Sequence, residues 1–513
     1  MKRVPLAILA SLPLVSAILA TLSLPSSNLG FLAWIALVPL LFALRQRGLL
    51  AGAMLGWVFG YAFGASSFNW MTEIPDLNAA RFALLLTAFS IYYLVFGFLY
   101  ALASRSLASW MIVGAPVLWV ALEYARGNLS FLASPWNFLA HSQHQTLPVI
   151  QIADLTGAYG VSFVLLMVNQ FVSQLPDPRA ARQWKWRAQG TALGLAIAAT
   201  LVYGWYRLAD VPAAGEVLRV TLVQANVTVR SKMSSKEQIT HIAAYDRWSR
   251  QAAREKPDVI VWPSSSLPGP IDFWIIRLYV NYVANQAGIP LLVGGAGGDK
   301  FAPAREGHLP YSNSEFLISP MGELEGQYNK VHLTPFSEQV PLQGFVSWPR
   351  WMTTLEKSFV PGDGYTLFKV GKASFGTPIC WENTFPDVFR RFVLAGANVM
   401  ISVTNESVFG TTAGPYQTLA MNVFRAVENR VAIARAATTG VSAFIDSRGR
   451  IVSKVEDERG VDLFVPGVLT WDLPLARERA LYTLYGDLFA QVVSGAAVFI
   501  VLLSIPWRAR FES

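Results

Sequence analysis

The chain has 513 residues, 53% hydrophobic and 14% charged, against roughly 25% charged residues in an ordinary soluble domain, which argues against a water-soluble globule. A formal net charge of +8 would suggest nucleic acid in a soluble protein, but here the basic residues gather beside apolar segments, where they set orientation against a membrane, so no nucleic-acid partner is expected. Cys380 is the single cysteine, which excludes an intrachain disulfide framework and a cysteine-rich metal site.

In chain order, apolar stretches near 4–23, 29–45, 50–70, 82–104, 109–125, 158–175, 189–207 and 485–506 are candidate spans, a crossing of hydrocarbon needing about 17 to 25 residues. The first follows Met1-Lys2-Arg3 in the manner of a signal peptide, yet further spans follow and a membrane anchor is the better reading. Lys2, Arg3, Arg45, Arg47, Arg105, Arg179, Arg182, Lys185, Arg187, Arg508 and Arg510 would fall on one side, with Arg81 and Arg126 on the other. Since short cytoplasmic loops hold the excess of positive charge, both termini are expected in the cytoplasm and the segment 208–484 outside it. Glu73, Asp76, Glu123, Arg126, Asn137, His141 and His144 read either as ordinary chemistry at a wet interface or as a polar vestibule for a lipid headgroup. Trp70, Trp110, Trp119 and Trp136 suit interfacial belts or helix packing.

From about Leu218 the pattern changes. Short β-branched runs at 217–223, 259–262, 290–293 and 399–403 alternate with helical stretches near 236–254, 272–286, 384–395 and 415–430, which predicts a layered α/β core. The glycine run 294–298 lacks the Lys-Ser/Thr of a phosphate loop and is expected to be a strand-to-loop turn. Gly414-Pro415 marks a helix start that puts Arg425 and Glu428 on one face, as an ion pair or as support for a buried site.

Cys380 lies in Gly376-Thr377-Pro378-Ile379-Cys380-Trp381-Glu382-Asn383, where an apolar strand ends before a turn and a helix. Such a position favours thiolate, although a lone cysteine is more often a small buried apolar residue. Lys330 and Glu338 lie in the proline-bounded stretch Tyr328 to Pro341, and Ser264 follows Trp262-Pro263. Together these segments resemble the carbon-nitrogen hydrolase, or nitrilase, superfamily, and Ser402 to Gly410 and Arg435 to Asp446 look like its later strands and loops. With the spans on either side, the chain resembles the apolipoprotein N-acyltransferases over nearly its whole length.

That resemblance implies a polytopic α-helical domain of about eight spans with an extracytoplasmic αββα sandwich: 1–207 in the membrane, 208–484 periplasmic, and 485–513 as a last span and cytoplasmic tail of a bacterial inner-membrane protein. It implies that Cys380 takes an acyl chain from a phospholipid as a thioester and passes it to the amine of a diacylglyceryl-cysteine apolipoprotein, with no metal or other cofactor. Lys330 would stabilise the oxyanion; Glu338, Glu382, Asn405, Tyr328 and Trp381 would support the site. Ser264 stands where the family's general-base glutamate would be, and Glu406-Ser407-Val408 where it commonly has an aspartate. Serine is no base at neutral pH. Glu338, ahead of Glu382, is the expected replacement, and the alternative is an impaired homologue that binds lipid or lipoprotein without turnover. The stretch Trp348 to Phe359 reads equally as a lipid-facing cover or an ordinary surface loop.

Overall fold

The computed structural model describes residues 6–45, 47–75, 77–107, 110–129, 133–175, 184–210, 215–227, 235–298, 311–353, 355 and 358–505. Contacts divide the chain into Met1–Asp210 with Tyr485–Ser513, and Val211–Leu484.

The first unit is helical, with long elements at Leu6–Ser23, Leu49–Ser67, Ala79–Ser106, Met111–Asn128, Ala158–Val172, Trp184–Ala209 and Leu488–Ser504. By length and composition, Leu49–Ser67, Ala79–Ser106 and Trp184–Ala209 are able to cross a membrane. The stretch 29–45 is not one helix: it forms a 3-10 turn at Gly30–Trp34 and a short α-helix at Val38–Leu44. The break is satisfied internally, because the buried Asn169 amide donates to Ala33 O at 2.8 Å and accepts from Leu37 N at 2.8 Å. A helix interrupted within an apolar unit needs such partners for its freed backbone groups. Lys2, Arg3, Asp76, Arg179, Arg182, Arg508 and Arg510 lie outside the described residues.

Gly52, Gly56, Gly60 and Gly64 repeat every fourth residue and face Ala79–Ser106. A Cβ on Gly56 would lie 2.0 Å from Tyr93 O, and one on Gly97 2.1 Å from Gly52 O. Small residues let two backbones approach this closely, the usual means of packing helices without a hydrophobic driving force. Gly56→Leu is therefore expected to destabilise the unit by about 1–3 kcal/mol through overpacking. An unchanged unfolding midpoint in detergent would show that the two helices do not meet there.

The polar residues of this unit mostly hold its own backbone. Arg126 donates to Trp136 O at 2.5 Å and Ser134 O at 3.1 Å, with Phe89 and Phe138 each 5.0 Å from its guanidinium. Glu123 accepts from Leu139 N at 2.9 Å. His141 and His144 are buried, whereas Glu73 is exposed. Trp70 packs on Trp136 and Trp119 on Phe96; Trp110 is exposed.

The second unit holds two six-stranded sheets. One contains β1 (Val217–Gln224), β2 (Val259–Val261), β3 (Leu291–Gly297), β4 (Ser312–Ile318), β5 (Leu324–Asn329) and β12 (Gly467–Pro474), in the order β12-β1-β2-β3-β4-β5. The other contains β6 (Phe368–Val370), β7 (Ala373–Gly376), β8 (Val399–Thr404), β9 (Ile433–Ala437), β10 (Ala443–Ile445) and β11 (Ile451–Lys454), in the order β11-β10-β9-β8-β7-β6. Strands buried on both faces read as continuous apolar runs, as Val259-Ile260-Val261 does. Ser235–Ala253 and Trp274–Ala287 cover one face of the first sheet, sharing a core with Ile260, Leu291, Val293, Phe316 and Ile318. Its other face meets the second sheet, where Gln224 accepts from Ser442 N at 3.2 Å. The layered α/β sandwich is thus formed.

Two expectations are refined. Gly294 to Gly297 continue β3 instead of turning, because the glycines serve close approach: a Cβ on Gly295 would lie 2.9 Å from the Leu267 side chain, and one on Gly294 2.7 Å from Ser264 Cα. Arg425 and Glu428, on the buried helix Gly414–Asn429, form an ion pair at 3.1 Å.

Candidate active site

β5 carries Tyr328 in its buried interior and delivers Lys330 just beyond its end, where Lys330 N still donates to Asn313 O of β4 at 2.8 Å. The Lys330 side chain is fully buried. Its Nζ lies 2.5 Å from Glu338 Oε2 and 3.2 Å from Thr334 Oγ1. Glu338 also accepts from Thr334 N and Asn313 Nδ2, both at 2.8 Å. Burial alone would push the Lys330 ammonium down, but the charge of Glu338, with Cys380 adding to it, holds it above its usual range. Burial would likewise raise the Glu338 carboxyl; Lys330 and the two donors outweigh it and hold the group below its usual range.

Cys380 opens a 3-10 turn, Cys380–Thr384, beyond β7, and is half-buried with φ +51°. A non-glycine residue in this region is held there by its surroundings. Glu382 supplies much of the hold. Its Oε2 accepts from Ile379 N at 2.9 Å, while Oε1 accepts from Tyr328 OH and Val331 N at 2.8 Å and from His332 N at 3.0 Å. One carboxylate therefore ties the cysteine turn to the lysine segment. Burial nevertheless raises the Glu382 carboxyl above its ordinary value.

The structure thus sets two hydrogen-bonded pairs side by side along one segment, Tyr328 with Glu382 and Lys330 with Glu338, with Cys380 at the turn that Glu382 holds. Trp381 packs edge-on against Phe385 at 5.6 Å. Asn405 closes its own turn, accepting from Ser407 N at 3.2 Å and Ser407 Oγ at 2.8 Å. Glu406 is buried against Arg435, 2.5 Å from its Nη2. Ser264 follows a well-anchored Trp262, whose indole donates to Ser249 Oγ at 2.9 Å; the Ser264 hydroxyl is buried and has no hydrogen-bond partner among the described residues. Sequence reading missed Asn313, Thr334 and a fully buried Glu315 on β4. The one signal for the last was a carboxylate in the middle of Ser312-Asn313-Ser314-Glu315-Phe316-Leu317-Ile318.

Arranged in this way, a thiol at a tight turn beside a buried ammonium is suited to attack a carbonyl carbon and to stabilise the oxyanion that results. Among the described residues no cluster of three or more His, Cys, Asp or Glu is suited to a metal ion.

Comparison with known families agrees with this chemistry. Residues 16–171 match the apolipoprotein N-acyltransferase N-terminal domain, and residues 219–482 match the carbon-nitrogen hydrolase family. An apolipoprotein N-acyltransferase from Geobacter metallireducens is 35% identical over 95% of this chain and 94% of its own length. One from Chlorobaculum tepidum is 28% identical over 96% of each. Among solved structures, a mutant Nesterenkonia amidase of the nitrilase superfamily aligns with 55% of this chain and 95% of its own, at 18% identity and a TM-score of 0.38. On the full-length similarity and the two matched domains, the chain belongs to the apolipoprotein N-acyltransferases, membrane-associated acyltransferases of lipoprotein maturation.

Proposed function

We propose that Cys380 is the acyl carrier in a two-step transfer from a phospholipid to the N-terminal amine of a diacylglyceryl-cysteine apolipoprotein. The observation that carries this reading is the Glu382 carboxylate, which ties the turn opening at Cys380 to the segment that bears the buried Lys330–Glu338 ion pair. The Cys380 thiol, giving up its proton as it does so, attacks the sn-1 ester carbonyl of a lipid such as phosphatidylethanolamine. A C–S bond forms, the ester C–O bond breaks, and a lysophospholipid leaves with the proton the thiol gave up. The acceptor amine then attacks the thioester, forming the amide, and its proton goes to the leaving sulfur, which restores the thiol. A covalent intermediate lets two bulky lipid substrates visit the site in turn. Lys330 faces the oxyanion of each tetrahedral intermediate, Glu338 holds Lys330 in place and charged, and Glu382 with Tyr328 fixes the turn that presents the sulfur. In this reading Trp381 and Asn405 shape the flanks of the site.

The chain is read as an inner-membrane protein of eight spans with both termini cytoplasmic and residues 208–484 periplasmic, on the strength of its Lys and Arg distribution. An acyl chain leaves the bilayer at a cost of about 0.8 kcal/mol per CH₂, so a site for lipid esters requires an apolar entrance. The exposed Leu342, Phe345, Val346 and Trp351 are suited to line one, Phe345 being 92% exposed. Thr354, Glu356 and Lys357, in the stretch Trp348 to Phe359, lie outside the described residues.

Intact-mass measurement of the full chain incubated with phosphatidylethanolamine tests the proposal. A single hydroxylamine-sensitive acyl adduct on Cys380 is expected, discharged faster by a diacylglyceryl-cysteine peptide than by water. An adduct elsewhere would remove the proposed carrier. Discharge by water alone at an equal rate would favour an amidase-like hydrolase.

A further inference from the structure

One buried carboxylate has no part in the mechanism above. Glu315 is fully buried on β4, and among the described residues neither of its oxygens has a hydrogen-bond partner. Burying a carboxyl group without partners is costly, so its retention calls for a cause.

Its direction is fixed by strand geometry. Alternate residues of a strand share a face. Phe316 and Ile318 belong to the core beneath the helices Ser235–Ala253 and Trp274–Ala287, which leaves Asn313 and Glu315 on the face that holds the site. Asn313 donates to Glu338 at 2.8 Å, and Glu315 stands directly opposite Tyr328, whose hydroxyl donates to Glu382. Gly294 then locates the carboxylate relative to Ser264. The position its Cβ would take is 2.3 Å from Glu315 Oε1 and 2.7 Å from Ser264 Cα. Glycine on β3 thus makes room for a carboxylate beside the residue that follows Trp262-Pro263.

Resting on the acyl-transfer reading, we infer that Glu315 is the general base of this chain, supplied from β4 into the space that a glutamate at position 264 would otherwise occupy. In the first step the Glu315 carboxylate takes the thiol proton as sulfur attacks the ester, and returns it to the departing lysophospholipid oxygen. In the second it takes a proton from the attacking amine and gives it to the leaving sulfur. No external acid, base or oxidant is consumed. Glu338 and Glu382 are poorly placed for this work. The first is committed to Lys330, Thr334 and Asn313, and the second to four donors. Burial pushes the Glu315 carboxyl well above the ordinary carboxylate range, the direction that makes a carboxylate a stronger base. The titratable groups that face Glu315 from neighbouring elements are Tyr245 of the helix Ser235–Ala253, which feels its charge, and Tyr328, its partner on β5; His241 of the same helix bonds Ser266 O, two residues beyond Ser264, at 2.7 Å.

The test uses the full chain in detergent with phosphatidylethanolamine, following Cys380 acylation by intact mass across pH. Glu315→Gln, which keeps the shape of the side chain, is expected to slow acylation by about 10²–10⁴-fold and to abolish the acid limb of the parent's pH profile. Ser264→Glu combined with Glu315→Ala is expected to restore most of the rate, with the acid limb at lower pH, because the carboxylate returns from the neighbouring strand. Thermal unfolding checks that Glu315→Gln folds. A carboxyl whose folded-state pKa is raised weakens the fold as pH rises through that value, so the variant should gain stability over the parent at neutral pH and not in acid. An acylation rate for Glu315→Gln equal to the parent's would overturn the assignment. So would a slow rate that keeps the parent's pH profile, or a double variant no faster than Glu315→Gln. A parent chain that never acylates Cys380 at any pH would instead sink the acyl-transfer reading on which the assignment stands.

Discussion

Cys380→Ala is expected to form no acyl adduct at all and to lower the transfer rate by about 10⁴-fold or more, the order of loss when the nucleophile of a covalent mechanism is removed. The test is clean because the chain has one cysteine, so the variant has no other thiol to carry an acyl group. It is also structurally mild. Alanine keeps the Cβ, so the left-handed backbone at φ +51° meets the same steric cost, about 1–2 kcal/mol for an L-residue. The contacts that hold the turn, from Ile379 N, Tyr328 OH, Val331 N and His332 N to Glu382, do not involve the sulfur. An unfolding midpoint close to the parent's is therefore expected alongside the lost adduct. Acylation of this variant at the parent's rate would exclude Cys380 as the carrier, whatever the geometry around it.

Lys330, Glu338 and Cys380 could be singled out as candidates in the sequence because the short segments that carry them, taken together, resemble one family's pattern. Glu315 was not. A carboxylate in a strand reads locally as a solvent-facing residue, and only the pairing of β4 with β3 and β5 shows that it faces Gly294 and Tyr328 inside the sandwich. The same limit explains the glycine run at 294–298, where turn chemistry and close backbone approach look alike until the facing residues are known. Within the apolar unit the difficulty differs. Overall hydrophobicity marks stretches that suit a membrane, but the break within 29–45 depends on Asn169, more than a hundred residues away along the chain. The four-residue spacing of Gly52, Gly56, Gly60 and Gly64 was present in the sequence, yet its meaning as a packing face depends on finding Tyr93 and Gly97 across it. Glu338 illustrates a third case. It could be named as a candidate, but its surroundings could not be foreseen: three contacts and a depressed carboxyl suit it to hold a cation rather than to accept a proton.

Lys330→Met is expected to slow Cys380 acylation by about 10²–10³-fold, the usual loss when one donor to a developing oxyanion is removed. It should also cost stability, since breaking a buried ion pair leaves one charge unpaired, at about 3–5 kcal/mol. The lower end is expected here, because Thr334 N and Asn313 Nδ2 continue to donate to Glu338. The two losses separate by pH. In the parent, Glu338 is held below its ordinary value, so the pair stabilises fully above the ordinary carboxylate range, near pH 4.3, and its contribution disappears as pH falls through the lowered value. The stability gap between parent and Lys330→Met should therefore be widest near neutral pH and close progressively in acid. Adding Glu338→Gln to Lys330→Met removes the stranded carboxylate and is expected to recover much of the stability but none of the acylation rate. If that double variant regained rate together with stability, Lys330 would be a structural residue and the oxyanion would have to be stabilised by another group.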